Sequence, residues 1–129
     1  MELQSLPRHY TKKDAVKNDD IIYDSYQNYN AKRFFKFLEN FTKGIHDRIR
    51  ITIFGIDGPP STSILEYNDS GLTFTFDPTR TIEQIPITEI KGTNISLNFI
   101  DAENAFLIQF NLQPFNDTGL YMFTYVVNN

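Results

Sequence analysis

Two arginines separated by one residue are the side chains in this sequence best suited to bind a ligand. Arg48 and Arg50 belong to the segment 48–54, Arg-Ile-Arg-Ile-Thr-Ile-Phe, in which polar and apolar residues alternate. A period of two predicts a β-strand, so both guanidinium groups project from one face and the isoleucines from the other. Two parallel guanidinium forks suit a carboxylate or a phosphate. The alternative is a solvated sheet face whose ion pairs contribute little to stability.

Three more charged residues are expected in turns that the same sheet can bring towards these arginines. Asp57 follows the arginine strand, and Asp77 and Arg80 delimit the segment Asp-Pro-Thr-Arg. This segment is either a recognition loop or a Pro-containing turn in which Asp77 caps its own backbone. An enzymatic alternative would use Asp57 and Asp77 as a carboxylate pair. The predicted binding site therefore comprises Arg48, Arg50, Asp57, Asp77 and Arg80.

The sequence carries no other catalytic or metal-binding pattern. Its two histidines, His9 and His46, are not at a spacing typical of metal ligands, and it has no cysteine. The lack of cysteine excludes thiol nucleophiles, disulfides and cysteine-ligated zinc. There is also no glycine-rich phosphate loop and no Gly-x-Ser-x-Gly motif. We predict a protein that is not an enzyme and that uses no metal or cofactor.

Composition narrows the classes of partner. The chain has 129 residues, of which 40% are hydrophobic and 15% aromatic, enough for the core of one domain. Its net charge of −4 argues against a nucleic-acid binder, which needs clustered lysines and arginines. No stretch approaches the roughly 20 apolar residues of a transmembrane helix. The predicted partner is a protein or a small anionic ligand.

An amphipathic helix is expected directly before the arginine strand, over residues 31 to 43. Its apolar residues recur at steps of three and four, and Gly44 suits the left-handed position after a helix. We expect this helix to cover the isoleucine face of the strand, with the guanidinium groups on the outer side. The apolar stripe comprises Ala31, Phe34, Phe37, Leu38, Phe41 and Ile45.

The rest of the chain reads mostly as strands and turns. Residues 1–19 are polar and are predicted to form a partly ordered N-terminal arm ahead of a domain that spans 20–129. The fold class is α+β, one amphipathic helix packed on a mostly antiparallel sheet of about six or seven strands. If the last strand is an edge, a homodimer could form through it. Strands are predicted at 20–24 (an edge), 48–54, 63–67, 72–76, 93–100, 105–112 and 119–127.

A series of short motifs over roughly residues 10 to 80 resembles a known domain family. The motifs are Asp14-Ala15-Val16-x-x-x-Asp19-x-Ile21, Lys43-Gly44-x-x-Asp47-x-Ile49-Arg50-Ile51, Gly58 with Pro60, Leu65-x-Tyr67 and Phe76-Asp77-x-Thr79-Arg80. The series is similar to an uncharacterised family of Gram-positive, spore-forming bacteria and their phages. Many of its members look like secreted lipoproteins, and the family has no assigned activity. Two departures are an Asp-Gly-Pro-Pro loop at 57–60 in place of Glu-Gly-Asp-Pro, and the lack of a C-terminal cysteine pair.

Two functional hypotheses follow. The first is a non-enzymatic binding domain that recognises a protein partner or a small anionic ligand through the arginine-bearing sheet face and its loops. The second is a small cytoplasmic immunity, phage or counter-defence protein that inhibits a partner by surface complementarity. A native start at Met1 would favour the cytoplasm, and removal of a lipoprotein signal would favour the cell envelope.

Overall fold

The structure is a computed structural model that describes residues 2–7, 9–55, 60–77, 86–103, 105–114 and 119–127. Within these ranges it contains three helices and nine strands. The helices are α1 (Glu2–Ser5), α2 (Lys12–Lys17) and α3 (Ala31–Thr42). The strands are β1 (Ile21–Asp24), β2 (Gln27–Tyr29), β3 (Asp47–Phe54), β4 (Ser61–Asn68), β5 (Gly71–Asp77), β6 (Thr88–Gly92), β7 (Asn94–Ala102), β8 (Ala105–Gln113) and β9 (Leu120–Val127).

The strands form two sheets. The large sheet has the order β2-β1-β3-β4-β5-β6, and the small sheet has the order β7-β8-β9. All neighbouring strands are antiparallel except β1 and β3, which are parallel. The predicted α+β class, with one main helix on a mostly antiparallel sheet, is confirmed. The sequence did not indicate the second sheet or the strands β2 and β6, and β1 lies inside the large sheet instead of at its edge.

Helix α3 forms where the apolar spacing predicts it. It begins after Asn30, whose φ of 60° is left-handed and whose side chain makes no capping hydrogen bond to the helix. It is followed by Gly44 at φ +72°, a conformation that an L side chain rarely adopts. Ile45, expected on the apolar stripe, lies beyond the helix end and is 50% exposed. The helix itself is therefore predicted correctly, but the two ends of the stripe, Ala31 and Ile45, do not belong to the core cluster.

The isoleucine face of β3 is buried, as predicted. Ile51 is fully buried in one cluster with Phe34 and Phe37 of α3. The small sheet completes this core, because the ring of Phe34 lies 4.8 Å from that of Phe110 and 4.7 Å from that of Phe123. Aromatic pairs at these separations add to the stabilisation from burial alone. Helix and small sheet together cover the face that the sequence analysis assigned to the helix.

The chain passes from the large sheet to the small one at the end of β6. Gly92 is buried, and a Cβ there would lie 2.5 Å from Leu112 Cδ1 on β8. The next residue, Thr93, donates its backbone N–H to the Gln113 carbonyl at 2.7 Å. Glycine is therefore required for the close approach of the two backbones.

The N-terminal segment packs on the opposite face of the large sheet. Leu3 and Ala15 are fully buried, and Tyr10 is 2% exposed. Helix α2 begins with a capping box, in which Thr11 and Asp14 each accept a hydrogen bond from the other's backbone N–H. Within residues 2–7 and 9–19, the segment predicted as an arm thus contains two helices and side chains that are buried against the sheet. A buried surface on this side means that part of the arginine face of β3 is covered.

Candidate functional site

The arginine pair of β3 does bind a carboxylate, and that carboxylate belongs to the same chain. Glu2 in α1 places one oxygen 2.6 Å from Arg48 Nη1 and the other 2.9 Å from Arg50 Nη1. The two guanidinium groups therefore lie on one face and converge on a single anion, as the spacing predicts. Charge-assisted contacts of this kind are among the stronger polar interactions in proteins.

A buried aspartate holds Arg50 from its other side. Asp20 precedes β1, is 1% exposed, and accepts a hydrogen bond from Arg50 Nε at 2.6 Å. Its second oxygen accepts from the hydroxyls of Tyr10 and Thr52, both at 2.7 Å. Its backbone N–H donates to the carbonyl of Ala15 at 3.0 Å, at the end of α2. Asp20 therefore joins the N-terminal segment, β1 and β3 in one polar network.

The electrostatics of this network favour a charged arginine and a neutral tyrosine. Burial works against the charge of Arg50, but the hydrogen bond and charge of Asp20 outweigh it, so the pKa of Arg50 is raised. Burial raises the pKa of the Tyr10 hydroxyl to about 12. Tyr10 is thus a hydrogen-bond donor to Asp20 at physiological pH.

The two arginines differ in their access to solvent. The side chain of Arg50 is 17% exposed, whereas that of Arg48 is 47% exposed. The arginine face of β3 is therefore not fully solvated, because the Arg50 side chain is largely covered and paired with Asp20 and Glu2. Arg50 is partly structural, and Arg48 is the arginine that faces solvent.

A cleft of about 230 Å³ opens beside the pair. Its described lining includes both arginines, Glu2, the acidic residues Asp19 and Asp20, and Arg33 from α3. A larger cleft of about 510 Å³ lies elsewhere, between the β2 region and β9, and Lys32 is the one charged side chain in its described lining. The smaller cleft is therefore the candidate site for an ionic ligand.

Arg33 already has a partner of its own. Its guanidinium donates to both carboxylate oxygens of Asp47, with Nη1 2.8 Å from Oδ2. Asp47 also accepts from the Asn40 side chain at 3.0 Å and from the backbone N–H of Arg48 at 2.7 Å. This arrangement ties α3 to the start of β3.

Asp47 makes the stability of the fold depend on pH. The Arg33 hydrogen bond, first among several, lowers the pKa of Asp47 from 3.8 to about 2. A carboxyl group whose pKa is lower in the folded than in the unfolded state stabilises the fold at any pH above its unfolded-state pKa. This stability is lost as the pH falls through its folded-state pKa. We expect unfolding in urea to show about 1–2 kcal/mol of stability lost between pH 4 and 2 through this group. Asp47→Asn should lack that component of the pH dependence. An unchanged pH profile in the variant would contradict this role.

The remaining predicted site residues are only partly described. Asp77 lies at the end of β5, opposite Thr62, which in turn pairs with Thr52 of β3. It thus shares a face with the arginines, but it is 3% exposed and not open to a ligand from solvent. Asp57 and Arg80 lie outside the described residues, so the proposed pairing of Asp57 with Asp77 stays a prediction.

Four residues of the polar network around Arg50 are not predicted by the sequence as site residues, namely Glu2, Tyr10, Asp20 and Thr52. Asp20 offers one local signal, since it directly precedes an apolar β-branched strand, but the pattern alone indicates an ordinary strand end. Thr52 alternates with Arg48 and Arg50, so the same period predicts it on their face. No local pattern connects Glu2 with β3, because Glu2 lies 46 residues from Arg48 and 48 residues from Arg50 along the chain.

Comparison with known proteins adds no identification. No family model, no curated protein and no solved structure matches the chain. The resemblance to the uncharacterised bacterial family therefore stays a prediction.

No group of three or more His, Cys, Asp or Glu side chains is placed to hold a metal ion within the described ranges. In the same ranges, no helix has the length and apolar character needed to cross a bilayer.

Proposed function

We propose that this chain is a non-enzymatic binding domain that recognises a carboxylate of a protein partner or small ligand at Arg48 and Arg50. The observation that carries the proposal is the position of Glu2, whose carboxylate bridges the two guanidinium groups. Glu2 acts as an internal model of the bound ligand. It supports a carboxylate as the ligand class because the two oxygens contact different arginines.

The two acidic partners of Arg50 differ in how easily a ligand could replace them. Asp20 is 1% exposed and bonded on both oxygens, so it stays with Arg50. Arg33 is likewise paired with Asp47. Glu2 has a side chain that is 32% exposed and lies in a helix of four residues near the chain start. An incoming carboxylate that replaced Glu2 would restore the same charge balance.

Glu2 also sets the affinity by competing for the site. Any external carboxylate must displace a group held at high effective concentration by the chain itself. Hydrogen bonds to charged groups contribute about 1.5–3 kcal/mol, which corresponds to roughly a ten- to hundredfold change in affinity. Leu3 is fully buried and anchors α1, so the side chain of Glu2 can leave without release of the helix.

The test is a titration of the protein with acetate and, separately, with inorganic phosphate. Binding is monitored through the arginine Nε–Hε signals in NMR spectra. In Glu2→Ala we expect saturable shifts of the Arg48 and Arg50 signals with acetate. The wild type should need at least about tenfold more acetate for the same shift. Arg33 lines the same cleft but keeps its Asp47 partner, so its signal should shift less than those of Arg48 and Arg50.

Two comparisons make the test decisive. Glu2→Gln keeps a polar side chain of the same length without the charge and should behave like Glu2→Ala. Arg48→Ala in the Glu2→Ala background should abolish the saturable shift of Arg50. Equal shifts of Arg33, or no saturation in Glu2→Ala, would show that the arginine pair is only an anchor for α1. A preference for phosphate would reassign the ligand class.

A further inference from the structure

The outer edge of the small sheet is formed by β7. β7 pairs with β8 on one side, and no described strand pairs with its other side. Natural edge strands are usually short, bulged, or supplied with lysine or proline, which prevents pairing with another chain. β7 has nine residues, a regular register with β8, and no lysine, arginine, proline or glycine. Its only charged residue is Asp101, near the end.

The same strand exposes large apolar side chains. Leu97 is 51% exposed and Phe99 is 66% exposed, and alternation places both on one face. The ring of Phe99 lies 6.1 Å from that of Phe106 on β8, itself 38% exposed. A contiguous apolar surface beside an open strand edge is a typical site of protein association.

The opposite edge of the small sheet is occupied. Asn28 of β2 donates to the Thr124 carbonyl at 2.9 Å and accepts from the Val126 N–H at 2.7 Å. These contacts cover part of β9, the strand for which the sequence suggested edge pairing. In the described part of the chain, β7 is therefore the small-sheet edge that remains open.

We propose that two copies of this chain associate through antiparallel pairing of β7 with β7, centred on Asn98. A two-fold axis at this position places Leu97 opposite Phe99 of the second copy, and Asn98 opposite Asn98. The pairing joins the two small sheets into one continuous sheet of six strands. Apolar cross-strand pairs then cover side chains that are exposed in the single chain.

The charges of the strand permit this arrangement. In the proposed register Asp101 lies opposite Ile95, so the two copies of Asp101 are six residues apart along the strands. At about 3.3 Å per residue this separation is about 20 Å, well beyond a Debye length of about 8 Å at physiological salt. The net charge of −4 per chain is therefore not concentrated at the interface. These features fit a second copy better than an acidic or basic partner.

The first experiment measures association by sedimentation from nanomolar to high micromolar concentration. We expect a monomer–dimer equilibrium for the wild type, and a dissociation constant at least about a hundredfold higher for Phe99→Lys, because the symmetry introduces the change twice. Leu97→Lys is a second variant at the same interface. Ile45→Lys, a comparably exposed apolar residue outside β7, is the matched control and should dimerise like the wild type.

The second experiment tests the register. The chain has no cysteine, so a nitroxide attached to Asn98→Cys reports one position. Its spectrum should broaden on dimerisation, whereas a label on Ser70→Cys, in the exposed β4–β5 turn, should not. A wild type that stays monomeric overturns the proposal. So does a dimer that survives both lysine variants, or one that leaves the Asn98 label unbroadened.

Discussion

Replacement of Asp20 by alanine is expected to lower the free energy of unfolding by about 3–5 kcal/mol, because one partner of a buried ion pair is removed. Asp20 is 1% exposed and accepts hydrogen bonds from Arg50, Tyr10 and Thr52. Its loss leaves the largely buried guanidinium of Arg50 without its closest counter-charge and removes the acceptor shared by two hydroxyls. The measurement is equilibrium unfolding in urea at neutral pH.

Two milder variants and a control place this effect in the network. Asp20→Asn keeps the size of the side chain and removes its charge, so it should be less destabilising than Asp20→Ala. Tyr10→Phe removes two hydrogen bonds, the one that Tyr10 donates to Asp20 and the one that it accepts from Asn18, and should cost about 1–3 kcal/mol. Asp69→Ala, at a side chain that is 96% exposed, should stay within about 0.5 kcal/mol of the wild type. A loss below about 1 kcal/mol for Asp20→Ala would mean that the network does not stabilise the N-terminal segment.

The Asp20 network also prepares the proposed binding site. Asp20 fixes the Nε side of the Arg50 guanidinium, and Nη1 is left to contact a carboxylate beside Arg48. A guanidinium held in this way loses less conformational entropy when a ligand binds. Stability and recognition therefore depend on different atoms of one side chain. Variants of Glu2 should change acetate binding more than stability, and variants of Asp20 should do the reverse.

Elements defined by local periodicity could be predicted from the sequence. The apolar steps of three and four that define α3, and the alternation that defines β3, lie within single windows of the chain. The turn at residues 68–71 and Gly44 after the helix were likewise predictable from local turn and capping chemistry. The burial of Ile51 under Phe34 and Phe37 followed from these two patterns.

Features that depend on distant pairing could not be predicted in this way. Periodicity shows that a strand has a buried face, but it does not show which element covers it. The isoleucine face is covered by Phe110 and Phe123 of a second sheet as well as by the helix. The pattern around Arg50 does not indicate its partners within the chain, because Glu2 and Asp20 lie 48 and 30 residues away from it in the sequence. Only the folded chain brings these charges together.

The junction of the two sheets leads to the second large prediction, for Asn28 in the three-residue strand β2. Its side-chain amide donates to the carbonyls of Ile22, at 3.2 Å, and Thr124, at 2.9 Å, while its oxygen accepts from the Val126 N–H at 2.7 Å. An amide side chain thus replaces a peptide group between β1 and β9. Asn28→Ala should destabilise the fold by about 1–3 kcal/mol, because it leaves partly buried backbone groups of β9 without their partner. Gln27→Ala, on an exposed neighbour in β2, should change stability by less than about 0.5 kcal/mol.

Asn28→Asp separates this bridging role from simple packing. A carboxylate can still accept from Val126, but it cannot donate, and it faces the carbonyl oxygens of Ile22 and Thr124. This repulsion should raise the pKa of the introduced carboxyl group above its unfolded value. A carboxyl group whose pKa is higher in the folded than in the unfolded state contributes stability at low pH, and this stability is lost as the pH rises through the folded-state pKa. The free energy of unfolding of Asn28→Asp should therefore increase relative to that of Asn28→Ala as the pH falls towards about 4. Hydrogen exchange at the Val126 amide gives a local reading, with protection lost in Asn28→Ala and kept in Gln27→Ala. Unchanged protection in Asn28→Ala would mean that β9 is held to the large sheet by core packing alone.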